Sequence, residues 1–196
     1  MQTFFAMLAE SFDLPILDWI QSNLRCAFLD FIMPIITLFG DAGIFWIACA
    51  VILLLIPKYR KVGLSMGFAL ILGLLVCNVT LKPLCQRIRP YDYQMQYFQK
   101  EIVLLIEAQH DFSFPSGHTI ASFEACTALM IRNKKLGIPA TILAVLIAFS
   151  RMYLYVHYPT DVIFSVFAGI LFGIIGNLIA KKIPLGKLGK KGKYEK

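Results

Sequence analysis

The chain has 196 residues, of which 58% are hydrophobic and 16% are charged, and its formal net charge is +7. Soluble domains carry about 45–50% apolar and about 25% charged residues, so this composition excludes an ordinary soluble domain and indicates an integral membrane protein. Seven lysines lie among the last sixteen residues, so the positive charge is mostly a basic tail near a membrane, and we expect no nucleic-acid partner.

Residues 1–23 form the first segment, and they combine aromatic and aliphatic residues with three acids, Glu10, Asp13 and Asp18. Such a mixture suits an amphipathic helix on the membrane surface better than a helix that crosses the hydrocarbon. We therefore expect an N-terminal interfacial helix ahead of a single membrane domain at residues 24–183.

Hydrophobic runs after residue 23 predict the membrane-spanning helices, each of which needs about 20 mostly apolar residues. There are six such runs, at about 24–40, 43–57, 62–82, 117–132, 137–154 and 160–180. The predicted fold is therefore an all-α integral membrane bundle of six transmembrane helices. The long connection at 83–115 contains aromatic residues and a short apolar run, which favours an interfacial helix or a lid over a site.

Basic residues in short loops predict the orientation, because cytoplasmic loops carry an excess of Lys and Arg. The segments 58–61 and 132–135 and the tail at 184–196 are strongly basic, and six crossings place all three on one side. That side is then cytoplasmic and holds both termini. The connection 83–115 and the link 153–160 are predicted on the extracytoplasmic side of the plasma membrane.

Three short segments on this predicted outer side carry cations beside small and polar residues. Charges in or near hydrocarbon are costly and usually mark a functional site. Guanidinium groups match phosphate oxygens, and a helix that starts at Ser116 offers backbone N–H groups and the positive end of its dipole. The candidate phosphate-binding residues are Lys82, Arg89, Ser116, Gly117 and Arg151.

Two histidines and an aspartate complete this set with groups suited to phosphoryl transfer. Pro159 favours the first turn of a helix, which puts His157 just before that helix and Asp161 inside its first turn. In that geometry Asp161 orients one imidazole nitrogen of His157 and leaves the other free to attack phosphorus. His118 then protonates the departing oxygen, since histidine titrates near neutral pH.

The three segments read K-x6-R-P from Lys82, P-S-G-H from Pro115 and S-R-x5-H-x3-D from Ser150. In order and spacing they resemble the three-part signature of the type 2 phosphatidic acid phosphatase (PAP2) superfamily. The resemblance covers roughly residues 25–180. The third segment is the most specific of the three, because it fixes four residue types across twelve positions.

The resemblance implies a six-helix membrane fold and a phosphatase that acts without a metal ion or other cofactor. It implies that His157 forms a phosphohistidine, that Asp161 orients it, and that His118 is the general acid. The three cations, Ser116 and the backbone of Gly117 would hold the phosphate. The residues themselves agree, since no acidic cluster that would bind Mg²⁺ lies beside these cations.

The compact chain is similar to bacterial members of the superfamily that recycle undecaprenyl diphosphate, so that lipid is the first substrate expected. Phosphatidylglycerophosphate and phosphatidic acid come next, because each presents a similar terminal phosphate to the same cations. The expected partners are thus a lipid phosphate or diphosphate and the surrounding membrane lipids. No feature of the sequence indicates an oligomeric state.

Two other functions are compatible with the same residues. A lipid phosphotransferase would use the same phosphohistidine and pass the phosphoryl group to a lipid acceptor in place of water. An anion or phospholipid transporter would use the cations but would not need the pair His157 and Asp161. Vanadium-dependent haloperoxidases share the constellation and bind vanadate, but those relatives are soluble, unlike this chain.

Three further polar residues lie outside the motifs. Glu124 falls about two turns into a predicted membrane helix, where a carboxylate is costly. It either pairs with a hydroxyl or backbone group inside the bundle, or it supports the site or its selectivity. Arg87 is a candidate for a phosphate or headgroup contact at the rim, and His110 is read as a solvated loop residue.

Overall fold

The computed structural model describes residues 2–184, and every regular element within them is a helix. The α-helices are α1 (Gln2–Leu8), α2 (Leu14–Asn23), α3 (Ala27–Leu38), α4 (Ile44–Leu55), α5 (Arg60–Gly73), α6 (Lys82–Cys85), α7 (Pro90–Phe98), α8 (Gly117–Arg132), α9 (Lys134–Tyr153) and α10 (Pro159–Lys182). Two π-helical segments, Ala9–Asp13 and Leu74–Leu81, join α1 to α2 and α5 to α6. The predicted all-α fold is confirmed, whereas the predicted basic tail lies outside the described residues from position 185 onward.

Long apolar helices make this a multi-pass membrane protein. Within residues 2–184, four helical segments are long and apolar enough to cross a membrane: Ala27–Leu55, Arg60–Phe98, Lys134–Tyr153 and Pro159–Lys182. Many large apolar side chains on them are exposed, which is the pattern of a surface in contact with lipid. The predicted helix at 117–132 agrees with α8, but its 16 residues are fewer than a crossing usually needs.

One end of the bundle gathers the basic turns. Lys61 at the start of α5 donates a hydrogen bond to the carbonyl oxygen of Ala180 near the end of α10, at 2.8 Å. Arg132 at the end of α8 donates to the carbonyl oxygen of Asn177 in α10, at 3.4 Å. The two basic turns and the end of α10 therefore lie together, as the sequence predicted.

The first apolar segment passes along the bundle once, in two pieces. α3 begins beside the end of α9, where Tyr153 donates a hydrogen bond to Asp30 at 2.7 Å. Gly40, which follows α3, lies against the middle of α9. α4 continues in the same direction until Leu54 packs against Gly63 near the start of α5. The prediction of two separate crossings before α5 is therefore wrong.

A break between α3 and α4 explains why this single crossing has the sequence of two helices. Ala42 and Gly43 have φ angles of +46° and +66°, a conformation that interrupts a helix and that glycine adopts without strain. The sequence predicts helices at 24–40 and 43–57 because glycine beside aspartate usually marks a turn. Here the break bends the chain without reversing it, and it lies against His118.

The N-terminal helix, α1 to α2, lies across the end of the bundle opposite the basic turns. Gln21 donates to the carbonyl oxygen of Tyr153 at the end of α9, at 2.7 Å. The amide of Thr160 at the start of α10 donates to Asp13, at 2.9 Å. This helix and Lys182 are therefore at opposite ends of the bundle, whereas the sequence predicts both termini on one side.

The connection between α6 and α8 covers the same end as the N-terminal helix. Its apolar run at 102–106 and its helix α7 pack on a core that includes Leu17 of α2 and Tyr155. Tyr91 in α7 donates to the carbonyl oxygen of Gln109 at 2.7 Å and accepts from the same residue's amide at 3.1 Å. The connection is thus packed onto the bundle over most of its length.

Glycines on its inner side let α10 pack closely against α8 and α5. A Cβ atom at Gly169 would lie 2.7 Å from Cβ of Phe123, and one at Gly173 would lie 2.6 Å from Cβ of Thr127. At Gly176 it would meet the backbone of α5. Small residues of this kind let membrane helices approach one another, and here they bring the first turns of α8 and α10 together.

Candidate active site

Five chain segments bring the predicted charged residues to one cavity of about 650 Å³. The segments are the start of α6, the residue before α7, the first turn of α8, the end of α9 and the residues before α10. In that order they contribute Lys82, Arg89, His118, Arg151 and His157 to the cavity lining. The three distant sequence segments therefore meet, as predicted. We call Lys82, Arg89 and Arg151 the cationic cluster.

His157 is 1% exposed, and both of its ring nitrogens face other side chains. Nε2 lies 3.3 Å from Nη1 of Arg89, and because a guanidinium can only donate, Nε2 is the unprotonated nitrogen. Burial lowers the pKa of His157 well below its usual value, and the charges of Arg89, Arg151 and Lys82 lower it further. The imidazole is therefore neutral near pH 7, with an electron pair directed toward the cationic cluster.

Asp161 lies in the first turn of α10, as predicted, but a serine stands between it and His157. Oδ2 of Asp161 is 3.6 Å from Nδ1 of His157, which is longer than a hydrogen bond. The Ser113 hydroxyl donates to this carboxylate and lies 3.5 Å from the same Nδ1. Ser113 therefore connects the two residues, although the motifs do not mark it.

Arg87 supports Asp161 from the side away from the cavity. Its Nη1 donates to Asp161 at 2.5 Å and its Nη2 donates to Asp13 at 2.6 Å. Both carboxylates are fully buried, and the Tyr158 ring covers the guanidinium with its centroid 3.8 Å away. These ion pairs engage both terminal nitrogens of Arg87, and Arg87 is not among the residues that line the main cavity, so its expected phosphate contact has no support here. Asp13 joins the N-terminal helix to the site, which no local sequence signal indicates.

Arg151 has donors that no group in the described chain uses. Its Nη1 donates to the Thr37 hydroxyl at 2.7 Å and lies 3.3 Å from Nε2 of His118. Its Nε and Nη2 have no hydrogen-bond partner among the described residues, and the side chain is 1% exposed. Unused donors on a buried guanidinium are costly unless a ligand accepts from them. Arg151 is therefore in place to bind an anion.

Lys82 and Arg89 share one carboxylate, that of Asp111. Each forms an ion pair with it, and Nε of Arg89 also donates to the Asp111 carbonyl oxygen at 2.8 Å. A further Arg89 donor, Nη1, binds the carbonyl oxygen of Val156 at 2.7 Å. These bonds fix the guanidinium beside His157. Asp111 lies outside all three motifs and was not predicted.

His118 lies in the first turn of α8 next to the break between α3 and α4. Its Nε2 is 3.8 Å from a carboxylate oxygen of Asp41 as well as near Arg151. A proton on this imidazole would therefore be stabilised by Asp41 and opposed by Arg151.

The two residues before His118 differ in what they offer a ligand. The Ser116 hydroxyl caps α8 by accepting from the Thr119 amide at 3.5 Å, and the Ser116 amide donates to Ser165 at 2.9 Å. The hydroxyl and the amide of Ser116, which was predicted to bind phosphate, therefore both form hydrogen bonds within the protein. Gly117 does line the cavity, where a Cβ atom would lie 3.4 Å from the side-chain amide of Asn78.

Beyond the cationic cluster the cavity becomes an apolar groove between α4 and α5. We define the apolar groove by the large side chains that line it: Ile47, Val51, Leu54, Leu64, Phe68 and Leu74. The groove is open beside Gly67, where a Cβ atom would meet nothing within 4 Å. One continuous space therefore joins cations at its mouth to an apolar channel along the membrane helices, which is the form of a site for a lipid phosphate.

Glu124 lines the same cavity from α8 and is 1% exposed. Its Oε1 has no hydrogen-bond partner among the described residues. The carboxyl group lies against Gly73, at the end of α5 where the π-helical segment begins. The carboxylate faces the interior of the bundle as expected, but within residues 2–184 the expected hydroxyl or backbone partner is missing at Oε1. A role in supporting the site or its selectivity stays a prediction.

Replacing Gly73 with alanine is expected to lower the melting temperature in detergent, because a Cβ atom there would lie 2.0 Å from Oε1 of Glu124. Overpacking costs roughly 1–3 kcal/mol, and the cost here should lie at the lower end, because the clashing atoms end a flexible side chain that borders the cavity. Adding Glu124→Ala should restore much of the loss by removing the clash. Gly67→Ala is the control, since its Cβ atom would meet nothing within 4 Å. Equal melting temperatures for the two single variants would contradict the contact.

His110 lies outside the main cavity, in an exposed position of the connection before α8. It lines a second, smaller depression together with Tyr91 and Asp92. Within the described residues it forms no hydrogen bond or ion pair with the cationic cluster, which agrees with its interpretation as a loop residue.

The part of the chain that carries the site residues is similar to known proteins. The family profile of the PAP2 superfamily matches residues 62–183, a stretch that contains every predicted site residue. The chain is 29% identical over 165 residues to an undecaprenyl-diphosphatase of Sulfolobus acidocaldarius, covering 84% of this chain and 77% of that protein. It is 32% identical over 147 residues to the undecaprenyl-diphosphatase BcrC of Bacillus subtilis, covering 75% and 72%.

A solved structure has the same architecture. The PAP2-type phosphatidylglycerolphosphate phosphatase of Bacillus subtilis superposes with a TM-score of 0.68 at 26% sequence identity. The superposition covers 94% of this chain and 96% of that one. The likeness therefore includes the N-terminal helix and the long connection as well as the helices that carry the motifs.

Proposed function

The chain belongs to the PAP2 superfamily and is a membrane lipid phosphatase, and from this we propose that it hydrolyses a lipid diphosphate of the undecaprenyl type. The observation that carries the proposal is the single cavity that joins the cationic cluster to the apolar groove. A polyprenyl diphosphate has the same two parts, a compact anion and a long apolar isoprenoid chain. The activity named for the two relatives supports this lipid as the first candidate.

The proposed reaction begins when Nε2 of His157 attacks the terminal phosphorus of the bound lipid. A phosphohistidine forms, the phosphoanhydride bond breaks, and His118 gives a proton to the departing lipid monophosphate. Water then attacks the phosphohistidine, His118 takes up its proton, and inorganic phosphate leaves. Phosphoryl transfer depends mostly on positioning and on stabilisation of the spread negative charge, which the cationic cluster supplies.

Ser113 and Asp161 have a defined part in this mechanism. The proton on Nδ1 of His157 points to the Ser113 hydroxyl, which in turn donates to Asp161. These hydrogen bonds keep Nε2 of His157 unprotonated and directed at the phosphate. When His157 becomes phosphorylated its ring gains positive character, and the buried carboxylate of Asp161 stabilises that charge.

We also propose that the site faces the extracytoplasmic side of the plasma membrane. The basic turns and the end of α10 lie at the opposite end of the bundle, and basic loops favour the cytoplasm. In this arrangement the crossings are α3 with α4, then α5, α8, α9 and α10, which is one fewer than the six expected. The N-terminal helix then lies on the outer membrane surface, beside the site.

Phosphate release from a panel of substrates tests this function. Purified protein in detergent and EDTA would receive undecaprenyl diphosphate, phosphatidylglycerophosphate, phosphatidic acid and a soluble phosphate monoester. We expect kcat/KM for the diphosphate to exceed that for the other lipids by about 10-fold or more. The soluble monoester should be the poorest substrate because it leaves the apolar groove empty.

Each other result has a distinct meaning. A preference for one of the glycerolipids would overturn the substrate but keep the phosphatase. Release that stops in EDTA would overturn the metal-independent mechanism. No release from any substrate by folded protein would favour a phosphotransferase that lacks its acceptor, or a transporter.

A further inference from the structure

Asp111 holds the position where a phosphate would be expected. Its carboxylate forms ion pairs with both Lys82 and Arg89, and it lines the same cavity as these cations. Nη1 of Arg89 is 3.3 Å from Nε2 of His157. An anion bound by Lys82 and Arg89 therefore lies close to the atom that would attack phosphorus.

The carboxylate is a chemical analogue of part of a phosphate group. Both present oxygen acceptors that share negative charge, and both are bound by a guanidinium fork and an ammonium group. Burial raises the pKa of Asp111, but hydrogen bonds and charge from Lys82 and Arg89 outweigh it and hold the pKa well below its usual value. Asp111 is therefore ionised throughout the neutral pH range.

The surroundings of Asp111 differ from those of the buried acids in the site. Its side chain is 54% exposed, whereas the side chains of Lys82 and Arg89 are only 13% and 2% exposed. It also belongs to the stretch after α7 that has no regular helix. By contrast, the Arg87 partners Asp13 and Asp161 are fully buried on helical turns. Asp111 can therefore turn toward solvent while the cations stay in place.

We propose that the carboxylate of Asp111 occupies the phosphoryl-binding position in the free enzyme and is displaced when the phosphate of the lipid substrate binds. This inference rests on the proposed function, because it assigns the cationic cluster to the phosphoryl group. A soluble phosphate must displace Asp111 through charge alone. A lipid phosphate also gains free energy from its chain in the apolar groove, so Asp111 selects against soluble phosphates.

Direct binding of inorganic phosphate tests the displacement without relying on lipid turnover. Isothermal titration calorimetry would compare the wild type with Asp111→Asn, which keeps the shape of the side chain, and with Asp111→Ala, which removes it. If Asp111 fills the position about nine-tenths of the time, its removal tightens phosphate binding by about 10-fold. Glu107→Gln is the matched control, because it removes an exposed carboxylate of the same connection and should leave the affinity unchanged.

Several outcomes would overturn the inference. Weaker phosphate binding in both variants would show that Asp111 positions the cations, and equal binding would show that it does not compete. A gain in phosphate affinity of the same size in Glu107→Gln would show that net charge alone controls the affinity. If neither the wild type nor any variant binds phosphate, the cationic cluster does not form a phosphate site. The substrate panel decides separately whether the proposed function fails, since it measures turnover by the unaltered protein.

Discussion

Replacing His157 with alanine is expected to reduce phosphate release by about 10⁴-fold or more, as removal of a catalytic nucleophile does in other enzymes. The imidazole is buried, neutral and directed through Nε2 at the cationic cluster. His118 also lines the cavity with its Nε2 beside a guanidinium, but His157 is the imidazole whose other ring nitrogen faces Ser113 and Asp161. The lipid should still bind, because the cations and the apolar groove remain.

Rate and covalent intermediate would both be measured. Phosphate release from the preferred lipid is compared between wild type, His157→Ala and His110→Ala, whose imidazole lies outside the main cavity. Rapid quenching in base with ³²P-labelled substrate should trap label on the wild type and on His110→Ala, but not on His157→Ala. Activity near the wild-type level in His157→Ala, with a normal melting temperature, would rule out this nucleophile.

Arg151→Lys should lower kcat by about 10²-fold or more, although the positive charge is kept. The guanidinium already gives one nitrogen to Thr37 and still has Nε and Nη2 free among the described residues. A lysine can make the Thr37 contact or reach the ligand, but it cannot supply several fixed donors at once. The loss should therefore fall on transition-state stabilisation more than on binding of the lipid.

The measurement separates these two effects. Initial rates over a range of lipid concentrations give kcat and KM for the wild type, Arg151→Lys and the control Arg25→Lys. Arg25 makes an exposed ion pair with Asp30 at 3.4 Å and donates to the Gln21 side chain at 3.0 Å, and exposed contacts of this kind contribute little. A rise in KM alone would mean that Arg151 binds the ground state, and unchanged kinetics would remove it from the site.

The three motifs predicted most of the residues that meet at the cavity, whereas Ser116 is not among the residues that line it. His118, His157 and Asp161 could be assigned to helix starts because glycine and proline mark those starts in the local sequence. The helices of the second half also agree with the predicted ranges, since their apolar runs are bounded by basic or proline-containing turns. These signals depend only on neighbouring residues, and each of them marks the start or the end of one helix.

The features that the sequence did not reveal depend on contacts between distant segments. Arg87 is an arginine like Arg89 and Arg151 of the cationic cluster. Only its buried ion pairs with Asp13 and Asp161 show that it has a structural role. Ser113 and Asp111 precede the second motif in a connection whose path the sequence does not determine. The single crossing of α3 and α4 was missed because a break inside a membrane helix has the same residues as a surface turn.

The ion pair between Asp13 and Arg87 connects the N-terminal helix to the residues that support the site. The family profile begins at residue 62, yet Asp13 lies far before it and contacts the arginine that holds Asp161. A chimera that takes its first two helices from another phosphatase would therefore have to retain an acid opposite Arg87. The contacts that support the site therefore extend beyond residues 62–183 and include Asp13 of the N-terminal helix.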